Sequence, residues 1–204
     1  TIFGCKPFLD ITRRLTEAGF AVFRYDDRGV GKSTGIFMAS HVQDFVRDAE
    51  AVVKAMKEHK AVNPQRIFLL GHSEGSYIAS KVVSQDRSLA GIVSLAGPVF
   101  GMDRILADQM DALSLLGGKS DEERATLRKG NLEVYGLMQD KRLSLDEVKA
   151  KASKVVERLL PVMTSDTTMY ATIRTQIMGQ FTPYLRELLQ LDIAGTWRAV
   201  KCPV

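Results

Sequence analysis

The sequence predicts an α/β fold, a parallel sheet flanked by helices and interrupted by an inserted helical stretch. Three observations carry this. Short apolar runs at Phe20–Tyr25, Arg66–Leu70 and Ala90–Ala96 alternate with helical patterns, as expected when helices cover both faces of a parallel sheet. Gly71-His72-Ser73-Glu74-Gly75 falls between the second run and a helical pattern. From Gly101 to Gln190 strand signals vanish and helix signals crowd in.

In chain order, Pro7 to Ala18 reads as a helix, with Phe8, Ile11 and Leu15 at helical spacing and Gly19 as its stop. Phe20–Tyr25 is rich in aromatic and β-branched residues and predicts a strand. The next segment, Asp26 to Thr34, ends in Gly31-Lys32-Ser33 and looks like the close of a phosphate-binding loop. Asp26 stands where such a loop needs its first glycine, and Asp26 and Asp27 would repel phosphates, so it reads as a tight glycine-bearing loop. Ser40 to Glu58 predicts a helix, with Ser40 and Gln43 as a capping box and Val42, Phe45, Val46, Ala49, Val52, Val53 and Met56 as one stripe. Asn63-Pro64 is turn chemistry before the strand at Arg66–Leu70. Ser76 to Gln85 continues as helix, and Ala90–Ala96 is a strand closed by Gly97-Pro98.

The helical stretch has its own punctuation. Ser120 with Glu123 and Ser144 with Glu147 are capping boxes, and Pro161 ends a one-faced helix bearing Leu145, Val148, Val155, Val156, Leu159 and Leu160. Thr182-Pro183 opens a helix through about Leu191, while Gly117-Gly118 and Gly130 supply breaks. So long a helical run between two strands reads as a cap rather than a connection. The division expected is a core over 1–100, a cap over 101–192 and a return to the sheet over 193–204. Met102, Met110, Met138, Met163, Met169 and Met178 lie in the cap, as gap-fillers of its own core or as an adaptable wall for a greasy substrate.

Over 204 residues, 45% apolar and 25% charged content is that of an ordinary globular chain. A net charge of +4 with scattered basic residues does not suggest nucleic acid, and no apolar run reaches the length of a membrane span. Cys5 and Cys202 lack metal-ligand spacing and are expected to be free thiols; no cofactor is implied. The chain starts without a methionine, shows no signal peptide and stops at Lys201-Cys202-Pro203-Val204, which reads like the beginning of a strand. It is expected to be a fragment, of undecided localisation.

Chemistry points to Ser73. Gly71 and Gly75 allow a turn tight enough to hold the serine at its tip, at the start of a helix. An alkyl hydroxyl needs a base within hydrogen-bonding reach. His72 is adjacent along a strand end and should point to the other side of the sheet. His41 and His59 begin and end one helix, which leaves none of the three a good base. Asp26, Asp27 and Arg28 read as a loop cap. Glu74 is favoured by the helix dipole, with orientation of a substrate amine or a histidine as the alternative.

Phe20 to Thr34 (with Tyr-Asp-Asp-Arg-Gly-Val-Gly-Lys-Ser-Thr), Gly71–Gly75 and Leu95-Ala96-Gly97-Pro98 together resemble the α/β-hydrolase superfamily. Within it they are similar to the serine aminopeptidase-like and esterase branch. The resemblance implies a partial α/β-hydrolase fold. Ser73 would be the nucleophile and the Glu74 backbone N–H one half of the oxyanion hole. It also implies acyl transfer to water from a small-molecule ester or peptide substrate. The acid and histidine of this family follow the nucleophile in the chain, and no histidine here follows Ser73, so the fragment is expected to be inactive alone. A non-catalytic binding protein on the same fold is the alternative.

Overall fold

The computed structural model describes residues 6–204 and, within these, everything but the Met38 side chain. The chain divides into two compact units, one over Thr1–Met38 and one over Ala39–Val204. Cys5 lies outside the described residues; Cys202 is a free thiol.

In the first unit, α1 (Pro7–Glu17) opens with proline in its first turn and ends at Gly19, whose φ is +87°. Phe20–Tyr25, expected as a strand, is irregular. Strand propensity becomes a strand only where a neighbour completes the ladder, and no ladder partner is assigned to this run among the described residues. The glycine loop is as expected: the Gly29 N–H bonds to the Thr34 carbonyl at 3.0 Å, with Gly29, Gly31 and Gly35 all at positive φ. Asp26 caps it, its carboxylate accepting from the Lys32 N–H at 3.4 Å and its carbonyl from the Ser33 hydroxyl at 2.6 Å. A carboxylate therefore sits where a phosphate-binding loop would offer that N–H to an anion.

The second unit begins with α2 (Val42–Glu58), which buries Val42, Phe45, Val46, Ala49 and Val53. Its capping residue is His41 and not Ser40: the Asp44 carboxylate reaches back to the His41 N–H at 2.8 Å, while Ser40 is buried. The capping box expected at Ser40 and Gln43 is thus displaced by one residue, because the carboxylate at 44 is the stronger acceptor for the open N-terminal amide. Next come β1 (Phe68–His72), α3 (Glu74–Gln85) and β2 (Gly91–Leu95). β1 and β2 pair in parallel, with Phe68 opposite Gly91 and His72 opposite Leu95. Val46, Ala49 and Val53 of α2, Ala79, Val82 and Val83 of α3, Leu89 and Ile92 form a core on one face of this sheet.

The remaining helices are α4 (Met102–Leu116), α5 (Asp121–Gln139), α6 (Leu145–Met163), α7 (Tyr170–Gly179), α8 (Pro183–Leu189) and α9 (Ile193–Ala199). Both capping boxes form, Ser120 accepting from the Glu123 N–H and Ser144 from the Glu147 N–H, each at 3.2 Å. Two expected breaks do not occur. Gly130 lies inside α5, where its bare backbone admits Leu159 of α6; a Cβ there would stand 2.4 Å from Leu159 Cδ1. Pro161 falls in the last turn of α6, which continues to Met163 and closes on the Thr164 N–H to Leu160 carbonyl bond at 3.0 Å. A proline that near the C-terminus removes one bond and leaves the end intact. Met102 and Met138 are core residues of this region and Met163 and Met178 pack against them, whereas Met110 and Met169 are exposed. After Gly101 the chain reaches β2 again only at its far end. There α9 precedes Cys202-Pro203-Val204, and the Pro203 carbonyl accepts from the Ile92 N–H at 3.0 Å.

Candidate functional site

β1 ends at His72 and α3 begins at Glu74, which leaves Ser73 alone to reverse the chain. It does so at φ 53° and ψ −123°, a backbone state that a non-glycine residue keeps only when its surroundings impose it. Those surroundings are specific. The Ser73 N–H donates to the Leu95 carbonyl of β2 at 2.9 Å, and its carbonyl accepts from the Ser76 N–H at 2.9 Å. Ser76, fully buried, donates its hydroxyl to the Gly71 carbonyl at 2.7 Å. Gly71 is obligatory: a Cβ would lie 2.2 Å from the Gly75 carbonyl oxygen and 2.5 Å from the Ser76 nitrogen, both backbone. Gly97 has the same role across the turn, since a Cβ there would meet Ser94 Oγ at 2.3 Å and Ser76 Cβ at 2.5 Å.

The Ser73 hydroxyl makes no hydrogen bond with any described residue, and its side chain does not cap α3. The residue is only partly covered. Its oxygen stands at a helix N-terminus, where partial positive charge favours a developing anion.

The Glu74 carboxylate stands in the first turn of α3, as the helix-dipole expectation has it, and also accepts a hydrogen bond from the Tyr184 hydroxyl of α8. The Tyr184 ring stands edge-on to Phe45 at 6.2 Å between centroids. Beside this contact, His41 Nδ1 lies 3.0 Å from Glu187 Oε2, which also accepts from the Val42 N–H at 3.3 Å. Tyr77, one turn along α3, is buried, and that burial pushes its phenol up; Asp192 and Glu187 add to the rise, while Thr196 opposes it.

His59 closes α2, its Nδ1 accepting from the Ala61 N–H at 3.2 Å. His72 sits on an exposed position of β1, opposite Leu95. The structure thus brings Glu74, the neighbour of Ser73, together with Tyr184, and His41 together with Glu187 three residues further along α8. Sequence reasoning gives Ser76, Gly97 and Tyr184 no part in the turn. The close spacing of Ser76 to the glycine pair could have signalled its role; nothing in sequence links position 184 to position 74.

Among the described residues, no group of three or more His, Cys, Asp or Glu side chains could hold a metal, and no helix is long and apolar enough to cross a membrane.

Comparison with known proteins places these features in a family. A family model for serine aminopeptidase, S33, matches residues 4–157. Esterase EstD of Thermotoga maritima is 30% identical over 123 residues, covering 60% of this chain and 29% of that protein. A monoglyceride lipase homolog of Monkeypox virus is 25% identical over 174 residues, covering 78% of this chain and 62% of that protein. The chain therefore spans less than two thirds of the length of either relative. No solved structure matches. The family match takes in both strands, the Gly71–Gly75 turn and α3, and with them the partial α/β-hydrolase fold: the chain belongs to the serine aminopeptidase S33 family of α/β-hydrolases.

Proposed function

We propose that this chain carries the nucleophile of a serine hydrolase that transfers an acyl group from a carboxylic ester, or from an amide or peptide bond, to water. The observation that carries the reading is the Ser73 turn: a strained serine between strand and helix, its hydroxyl unengaged by the described residues. In the first half-reaction Ser73 Oγ bonds to the carbonyl carbon and gives up its proton to a base. The bond to the leaving alcohol or amine breaks, and that group takes the proton. In the second, water adds to the acyl-serine and restores the hydroxyl. The Glu74 backbone N–H, first in α3, is one donor to the oxyanion in both. The names of the two relatives, an esterase and a monoglyceride lipase homolog, favour an ester as the bond broken.

None of the three histidines serves as the base in this reading. His41 is held by Glu187, His59 accepts from the Ala61 amide, and His72 occupies the exposed last position of β1. The 204 residues alone are accordingly expected to be inactive. Residues 101–192 form the cap, and the substrate enters between this layer and the turn.

The test is covalent labelling. In the natural full-length protein a fluorophosphonate should attach to Ser73, mapped by peptide mass spectrometry, and Ser73→Ala should abolish both labelling and hydrolysis of a p-nitrophenyl ester. Labelling elsewhere, or esterase activity surviving in Ser73→Ala, would refute the assignment. Turnover by residues 1–204 that depends on Ser73 would refute the expected inactivity.

A further inference from the structure

We propose that Tyr184 is a positioning residue for the Ser73 turn, holding through Glu74 a backbone conformation that the turn would otherwise relax. This rests on the reading of Ser73 as nucleophile. Glu74 is the residue directly after the strained serine, and its N–H is the proposed oxyanion donor. Its carboxylate is bonded to the Tyr184 hydroxyl, so a side chain 110 positions away in the chain constrains the first residue of α3.

The anchor has two sides. Towards α2 and α3, α8 presents Tyr184 and Glu187, three apart and therefore on one face. Tyr184 meets Glu74 and Phe45, and Glu187 meets His41 and the Val42 N–H. Towards the helical layer, Arg186 donates to the Asp140 and Leu143 carbonyls at 2.7 and 2.6 Å, fixing α8 to the turn between α5 and α6. The Gln190 amide donates to the Met138 carbonyl at 3.2 Å, and the Gln139 amide to the Leu189 carbonyl at 2.9 Å. A helix of seven residues has little stability of its own, so its place is set by these side chains. Position fixed in the helical layer is thereby passed to the turn. Strain at φ 53° is held partly from outside, and loosening that hold should let Ser73 and the Glu74 N–H drift from productive geometry.

The experiment is the second-order rate of fluorophosphonate labelling in the natural full-length protein, with melting temperature read in parallel. Tyr184→Phe keeps the ring against Phe45 and removes only the hydroxyl; labelling should slow about tenfold, the size expected from a small misplacement of reacting groups. Glu74→Ala breaks the same bond from the other end, and the double variant should be no slower than the slower single one. Glu74→Gln retains an acceptor and should recover most of the loss, which a role for the negative charge itself would not allow. Phe45→Leu disturbs the ring contact but spares the bond, and should slow labelling less than about twofold. Wild-type labelling in Tyr184→Phe would overturn the proposal, as would additive losses in the double variant or an equal loss in Phe45→Leu. Labelling that persists in Ser73→Ala would instead overturn the nucleophile reading, so the two failures are distinguishable.

Discussion

Two layers of the second unit are held together by different means. Around Ser73 the fold is fixed by backbone: glycines where no Cβ fits, a serine hydroxyl on a carbonyl, and a strand amide on its neighbour. From α4 to α8 it is fixed by side chains: an apolar core of Met138, Val148, Ala152, Val155 and Leu159, capping boxes, and ion pairs such as Arg124 with Asp111. The first arrangement tolerates almost no substitution at a few positions and is indifferent at most others. The second spreads its stability over many positions, each adjustable. The role proposed for Ser73 needs the first kind, because reacting atoms must stay within a fraction of an ångström. The helical layer needs only the second.

Substitutions can break this contrast. Gly71→Ala should be the most damaging, at about 4 kcal/mol or more, because its Cβ meets backbone that cannot withdraw. A urea midpoint close to the wild-type value would show that the turn is less rigid than its contacts imply. Leu159→Ala leaves a cavity in a core position and should cost about 3 kcal/mol, with Ser73 labelling at low temperature largely retained. Loss of labelling without loss of stability would put that core inside the site. Gly130→Ala also adds a clashing Cβ, but against the flexible end of Leu159, so about 1–2 kcal/mol is expected rather than collapse. The gap between the two glycines is the sharpest form of the comparison.

Smaller effects follow at the surface. Ser144→Ala should cost about 1 kcal/mol by opening the N-terminus of α6. Asp140 is held at about 2 by hydrogen bonds from the Arg142 side chain and amide. A carboxyl with a depressed folded value stabilises fully above its unfolded value, about 4, and loses that contribution as pH falls through about 2. The stability difference between the natural protein and Asp140→Asn should therefore shrink across that acid window and stay constant above it.

Legibility divides along the same line. Gly71 and Ser73 are readable because a turn this tight admits few residue types there, whereas Gly75, read from sequence as equally required, has nothing within 4 Å of where a Cβ would stand. The boxes at Ser120 and Ser144 are readable because both partners lie within one turn. What sequence does not supply is anything that needs a distant partner. Phe20–Tyr25 has the composition of a strand, but composition contains no neighbour. Gly130 looks like a break until Leu159 is seen to need the space, and Pro161 looks like a stop until its place in the last turn is known. Glu74 reads as a dipole residue because the tyrosine that bonds it lies far along the chain.

The single tryptophan of the chain, Trp197 on α9, packs against both apolar cores and donates its indole N–H to the Pro98 carbonyl at 2.7 Å, just beyond β2. Its emission is thus an internal reporter at the seam of the two layers. Excited selectively, it should shift to the red once either layer comes away, and its trace compared with far-ultraviolet circular dichroism would tell whether sheet and helices melt as one cooperative body or in sequence.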